Sequence, residues 1–219
     1  MTAVGVIGLG SMGGGVARSL LAKKLETHVY DVRPETVKAL VAQGAKAAAT
    51  PAALGAACEV VVVLVVNAEQ TEKVLFGEQG AASAMKAGAV VVSSATLAPD
   101  VAEQLGARLE RMGLLMIDAP VSGGAAKAAA GEMTIMASGA PEAFARCEKV
   151  LDAIAARVYR LGDRPGPGSK VKMINQLLAG VHIAAACEAM ALGMRAGADP
   201  KTLYEVISNS AGSSWMFQN

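Results

Sequence analysis

The chain has 219 residues, 20 of them basic and 19 acidic, for a formal net charge of +1; 53% are hydrophobic and 3% aromatic. That length allows one large domain, or one domain plus part of a second. Near-zero charge and scarce aromatics leave no electrostatic footprint for a polyanion and few rings to stack on bases, which argues against nucleic acid as a partner. A mean hydropathy of +0.40 fits strands covered on both faces and a buried subunit interface.

Val4 to Ile7 is an apolar run that meets glycines, and Val16 to Lys24 follows with helical periodicity. His28 to Tyr30 reads as a second strand ending at Asp31. Pro34 opens a helix, since proline favours the first helical turn, and Gly44 follows its end. Glu59 to Val66 is almost pure valine, the pattern of a parallel strand buried on both faces. Strands are then expected at Ala89–Ser93, Leu114–Ile117, Met133–Ser138 and Val158–Leu161, with helices over Asp100–Met112 and after Pro141. This alternation predicts a doubly wound, mainly parallel α/β sheet.

Gly162 to Gly168 holds two prolines and three glycines and cannot continue a helix or strand. A domain boundary is expected there, with residues 1–162 as the first domain and 163–219 as the second. Ser169 to Ala196 is one long helical pattern of about 40 Å. It is apolar on nearly every face, which suggests burial on more than one side and a homo-oligomer formed through 169–196. A second helix is expected from Pro200 to Ser208. Two helices cannot close a core, so an all-α second domain is read as incomplete here or completed by another chain. Leu177 to Met194 is the most membrane-like segment, but it contains His182 and Glu188 and reads as a buried soluble helix. Three scattered cysteines, no CxxC and no basic N-terminal leader suggest a reducing, cytoplasmic setting without a cysteine-rich metal site.

Gly8-Leu-Gly10-Ser-Met-Gly13 lies between the first strand and the first helix. Gly8 permits the tight turn, Gly10 lets backbone approach a pyrophosphate, and Gly13 lets the helix pack on the sheet. The helix N-terminus then offers N–H groups to phosphate. Asp31, at the end of the second strand, can accept both hydroxyls of an adenosine ribose and repels a 2′-phosphate. NAD is therefore expected over NADP, although Arg33 could pair with such a phosphate. The turn lacks the Gly-Lys-Ser/Thr of a P-loop.

Hydride transfer needs a proton donor or acceptor near the carbinol carbon. His28 belongs to the adenosine side and His182 to an apolar helix. None of the three tyrosines has a lysine four residues on. Lys172 lies in the first turns of the long helix, with Asn175 three and Gln176 four residues further. Spacing alone leaves it open between a solvated lysine and a buried acid/base. Asp118-Ala-Pro-Val-Ser-Gly-Gly124 follows a strand. Its serine hydroxyl and glycine N–H groups suit a carboxylate, although in isolation it reads equally as an ordinary turn.

Together these blocks resemble the β-hydroxyacid dehydrogenase family, which includes 3-hydroxyisobutyrate dehydrogenase, tartronate semialdehyde reductase and threonate dehydrogenase. Val6 to Gly13 resembles its cofactor turn, Asp118 to Gly124 its substrate block, and Gly131 to Met136 the strand that follows. Gly166 to Gln176 resembles its catalytic helix. The resemblance implies a Rossmann-type cofactor domain in which Gly8, Gly10, Ser11, Met12, Gly13, Asp31, Val65, Val66 and Thr96 contact NAD. It implies Lys172 as acid/base assisted by Asn175, with Ser122, Gly123, Gly124 and Gln176 on the substrate and no metal. Lys172 to Ile183 and the terminal Ser-Ser-Trp-Met-Phe-Gln-Asn are most similar to the threonate dehydrogenase branch, which implies a small sugar acid as substrate. Two other readings stand beside this one: an NADP(H)-linked reductase of aldehyde acids, and a non-catalytic dinucleotide-binding protein.

Overall fold

The structure is a computed structural model that describes residues 3–219. The described residues divide into two compact units, 3–172 and 173–219. In the first, β1 (Val4–Ile7), α1 (Ser11–Ala22), β2 (Thr27–Tyr30), α2 (Pro34–Val41) and β3 (Lys46–Ala47) are followed by α3 (Pro51–Ala57), β4 (Val60–Val63) and α4 (Ala68–Phe76). Then come β5 (Val90–Ser93), α5 (Pro99–Arg111), β6 (Leu115–Asp118), β7 (Val121–Ser122), α6 (Gly124–Ala130), β8 (Met133–Gly139), α7 (Pro141–Ile154) and β9 (Ala155–Arg160). The long α8 (Pro167–Arg195) begins in this unit and continues into the second.

The strand order is β3-β2-β1-β4-β5-β6-β8-β7, with β9 also paired to β8. Pairing is parallel from β3 to β6, and β8 runs antiparallel to β6. The sheet is therefore doubly wound and mainly parallel, as the alternation of elements predicts. The valine runs show why it forms. Side chains alternate between faces along a strand, so Val60 and Val62 enter a core with Val16, Leu20 and Phe144, whereas Val61 and Val63 enter the opposite core with Leu54, Leu75 and Leu105. Both sets are essentially inaccessible to water. The order reverses between β1 and β4. In an open α/β sheet, such a reversal leaves a crevice beyond the carboxyl ends of the strands.

In the second unit, α8 runs on to Arg195 and is followed by α9 (Pro200–Ser208) and α10 (Trp215–Gln218). Asp199 caps α9 by accepting from the Thr202 N–H at 2.9 Å and the Thr202 hydroxyl at 3.0 Å. The rings of Tyr204 and Phe217 stack with centroids 5.4 Å apart. None of residues 173–219 is buried, and Leu177 and Leu192 are 71% and 70% exposed. The burial expected for the apolar faces of α8 is therefore not met within this chain, because two short helices cannot cover all sides of a third. Among the described residues α8 is the one helix long and apolar enough to cross a membrane by length and composition.

Candidate active site

The glycine turn leaves β1 directly beside β4. The Gly8 N–H donates to the Tyr30 carbonyl at 3.0 Å, and the Leu64 N–H to Ile7 at 2.8 Å. Gly8 has φ +89°, and a Cβ there would lie 2.5 Å from the Leu64 carbonyl oxygen, so both conformation and space demand glycine. A Cβ on Gly13 would collide with the Gly8 carbonyl. Gly10 is different: its Cβ would meet no protein atom within 4 Å. What glycine provides at position 10 is access from outside. Gly10 is also the N-cap of α1, with no side-chain cap and no acidic residue in the first turn. The orphan N–H groups of Ser11, Met12 and Gly13 thus keep their partial positive charge for an external anion.

A cleft of about 730 Å³ opens beside this turn, lined in part by Gly8, Gly10, Asp31, Arg33, Val65 and Val66. Such a volume lies in the usual range of ligand and cofactor sites. The uncapped N–H groups, the open side of Gly10 and the cleft together fit a dinucleotide. Val66 is 79% exposed at its rim. Thr96, also exposed, follows β5.

Asp31 is more occupied than the sequence suggests. Its Oδ2 accepts from the Leu9 N–H at 2.6 Å and from Arg33 Nη2 at 3.2 Å. Its Oδ1 accepts from the Arg33 N–H at 2.9 Å and from Arg33 Nε at 3.0 Å. Burial pushes the carboxyl pKa up, but the Arg33 side chain and the two backbone N–H donors outweigh it and hold the group below its ordinary value. The carboxylate's acceptor positions are therefore filled by the protein, and ribose hydroxyls must compete with a half-exposed guanidinium.

The second motif lies on the far half of the sheet. Val121 and Ser122 pair antiparallel with Ile135 and Thr134. Gly123 and Gly124 then turn the chain into α6 with φ +135° and +73°, a region that L side chains rarely adopt. Helix α6 packs closely on α1: a Cβ on Gly15 would stand 2.8 Å from that of Ala128. This contact joins the helix after the serine–glycine block to the helix that carries the glycine turn.

Lys172, in the second turn of α8, is 7% exposed. It forms no hydrogen bond or ion pair among the described residues, and burial holds its amine below the ordinary lysine range. The structure therefore excludes the solvated lysine that spacing left open. Asn175 and Gln176 follow on the same helix in the second unit, and the Asn175 amide reaches Gln176 Oε1 at 3.5 Å. His28, on β2, pairs with Glu26 at 3.1 Å. Among the described residues no group of three or more His, Cys, Asp or Glu could hold a metal.

Sequence reasoning missed one set of contacts. Asp118, fully buried at the end of β6, accepts at Oδ2 from the Gly166 N–H at 3.0 Å and the Ser169 N–H at 2.8 Å. Its Oδ1 accepts from the Ser169 hydroxyl at 2.7 Å. The Gly168 N–H donates to the Ser138 hydroxyl oxygen at 2.9 Å. An aspartate closing a strand is the available sequence signal, but nothing local links it to residues 48 to 51 positions away.

Comparison with known proteins agrees with this picture. Residues 3–162 match the family described as the NAD binding domain of 6-phosphogluconate dehydrogenase. Residues 166–219 match that described as the NAD-binding region of NADP-dependent 3-hydroxyisobutyrate dehydrogenase. An L-threonate dehydrogenase of Cupriavidus necator is 62% identical over 216 residues, which are 99% of this chain and 73% of that protein. The crystal structure of a 3-hydroxyisobutyrate dehydrogenase from Salmonella typhimurium superposes with a TM-score of 0.96 at 51% identity, covering 100% of this chain and 76% of that one. Psf3 in complex with NADP+ and 2-OPP superposes at 0.92 with 32% identity, covering 98% and 76%. With both family matches, the shared fold and this identity over nearly its whole length, the chain belongs to the 3-hydroxyisobutyrate dehydrogenase-like family of β-hydroxyacid dehydrogenases, NAD(P)-dependent oxidoreductases.

Proposed function

We propose that this chain oxidises a small sugar acid such as L-threonate, with NAD preferred over NADP and Lys172 as the acid/base. The observation that carries the proposal is the buried Lys172 amine, which has no hydrogen-bond or ion-pair partner among the described residues. An amine that lacks a counter-ion and is shielded from water gives up its proton more readily, so the neutral form can take a proton from a substrate hydroxyl. Ser122, Gly123 and Gly124 hold the substrate carboxylate through a hydroxyl and backbone N–H groups, Asn175 assists Lys172, and Gln176 adds an amide to the polar end of the substrate. Bound NAD would supply the hydride acceptor for the carbinol carbon. Gly8, Gly10, Ser11, Met12 and Gly13 would hold its pyrophosphate, Asp31 its ribose, and Val65, Val66 and Thr96 its nicotinamide half. The match to a protein named L-threonate dehydrogenase supports the four-carbon acid.

NAD preference rests on Asp31: its negative charge repels a 2′-phosphate, and Arg33 is already engaged by it. An NADP-linked reductase of aldehyde acids is the second reading, since Arg33 is exposed enough to turn outward. The exposed apolar side chains of α8 support a homo-oligomer formed through 169–196. A monodisperse monomer in light scattering would overturn that arrangement.

The test is NADH and NADPH formation with L-threonate, glycerate and 3-hydroxyisobutyrate, for the wild-type chain and for Lys172→Ala. The expected result is turnover of L-threonate with NAD and a loss of kcat of about 10²–10⁴-fold in the variant. NADH binding should be retained. An active Lys172→Ala variant overturns the acid/base assignment, and faster turnover with NADP overturns the cofactor preference.

A further inference from the structure

The geometry points to Asp118 as the positioning residue for Lys172, acting by fixing the first turn of α8 to the end of β6. This rests on the reading of Lys172 as the acid/base.

An α-helix starts with N–H groups that have no partner within the helix. At the start of α8 they are met by side chains from two strands. Asp118 Oδ2 takes the Gly166 and Ser169 N–H groups, and Ser138 Oγ takes that of Gly168. Ser169 adds its hydroxyl to Asp118 Oδ1. Ser138 in turn donates its hydroxyl to Asp118 Oδ2 at 3.3 Å, which joins the two strands in one network. All of Asp118, Ser138 and Ser169 are buried. A carboxylate here also faces the positive end of the helix dipole, so the bonds are charge-assisted.

The fit leaves little room for slack. A Cβ on Gly168 would collide with the Met136 carbonyl and lie 2.8 Å from the Asp118 carbonyl oxygen. Glycine lets the helix come down onto the strand ends, and the aspartate holds it there. Lys172 follows Ser169 by three residues and Gly168 by four, so it stands one turn above the tethered groups on the same side of the helix. Asp118 also begins the segment that leads within four residues to Ser122. One residue is thus the common root of the lysine's helix and the serine–glycine block. Its own carboxylate is spent on the protein.

The test compares Asp118→Ala, Asp118→Asn and Ser169→Ala with the wild-type chain and with Lys172→Ala. Asp118→Ala is expected to lower kcat on the order of 10²-fold, since small misplacements of a reacting group have costs of that size. The KM for NAD and the NADH affinity should stay within about twofold, because the glycine turn is built separately. Asn keeps one carbonyl oxygen for the Gly166 and Ser169 N–H groups, so Asp118→Asn should recover most of the loss. Ser169→Ala should fall between. Independently of turnover, hydrogen exchange at the Gly166, Gly168 and Ser169 amides should become at least about tenfold faster in Asp118→Ala.

Full kcat in Asp118→Ala, or a loss of NADH affinity as large as the loss of kcat, overturns the positioning role. If Asp118→Ala does not fold, Ser169→Ala decides, since it removes one hydroxyl only. An active Lys172→Ala instead overturns the reading beneath the proposal. An inactive Lys172→Ala beside fully active Asp118→Ala and Ser169→Ala overturns the positioning role alone.

Discussion

Helices α1 and α8 both begin beyond the end of a strand, with glycine in or before the first turn and orphan N–H groups at the positive end of the helix dipole. At α1 no side chain among the described residues supplies an acceptor: the cap is Gly10, and a cleft opens beside it. At α8 the buried Asp118 carboxylate and the Ser138 hydroxyl take the N–H groups. The same local electrostatics therefore serves two ends. Left unsatisfied, a helix start is open to an external anion such as a dinucleotide's pyrophosphate. Satisfied from within, it is a rigid base from which a lysine can be aimed.

Three substitutions can break or sharpen this contrast. The largest effect is expected from Gly13→Ala. Its methyl group would collide with the Gly8 carbonyl, so α1 must move off the sheet. The variant should lose about 1–3 kcal/mol of stability, as overpacked sites do, together with its NADH binding. Thermal unfolding reports the first and fluorescence titration the second; an unchanged midpoint would show that the turn is not tight.

Ser11→Asp gives α1 what α8 already has, a carboxylate at its N-terminus. Helix stability should rise by about 0.3–1 kcal/mol, and NADH affinity should fall roughly tenfold as like charges meet. Equal affinity for both chains would mean that the pyrophosphate does not use this helix end.

The smallest effect is expected from Lys172→Met. Burial lowers the folded pKa of this lysine, so between that value and the ordinary ~10.4 the unfolded chain binds more protons and stability rises with pH. The cost of the buried charge is fully present below the folded pKa. Methionine should therefore raise the thermal midpoint at neutral pH by about 2 °C, and the gain should fade as the pH approaches the ordinary lysine value. A gain independent of pH would mean that packing, not charge, is responsible.

Much of the first unit was legible in the sequence because its signals are local. The glycine turn follows directly on β1, Asp31 closes β2, and the valine runs can satisfy two cores only as buried parallel strands. Short elements were not legible: β3 has two residues and β7 two, too few to show a period. Helix α6 is an alanine run whose composition does not say what it packs on. The apolar α8 read as buried on several sides, and within this chain none of its residues from 173 onward is buried. Periodicity reports which faces are apolar, not what covers them.

The sequence by itself determined the doubly wound sheet, the cofactor turn and the candidacy of Lys172, since each follows from residue type and near-neighbour spacing. Only the tertiary structure decided that Lys172 is out of water with no counter-ion among the described residues, that Arg33 fills the Asp31 carboxylate, and that Asp118 holds the first turn of α8. Desolvation depends on everything packed around a group. The bonds to Asp118 join residues 48 and 51 positions apart, a distance over which the chain carries no local signal and only folding brings the partners together.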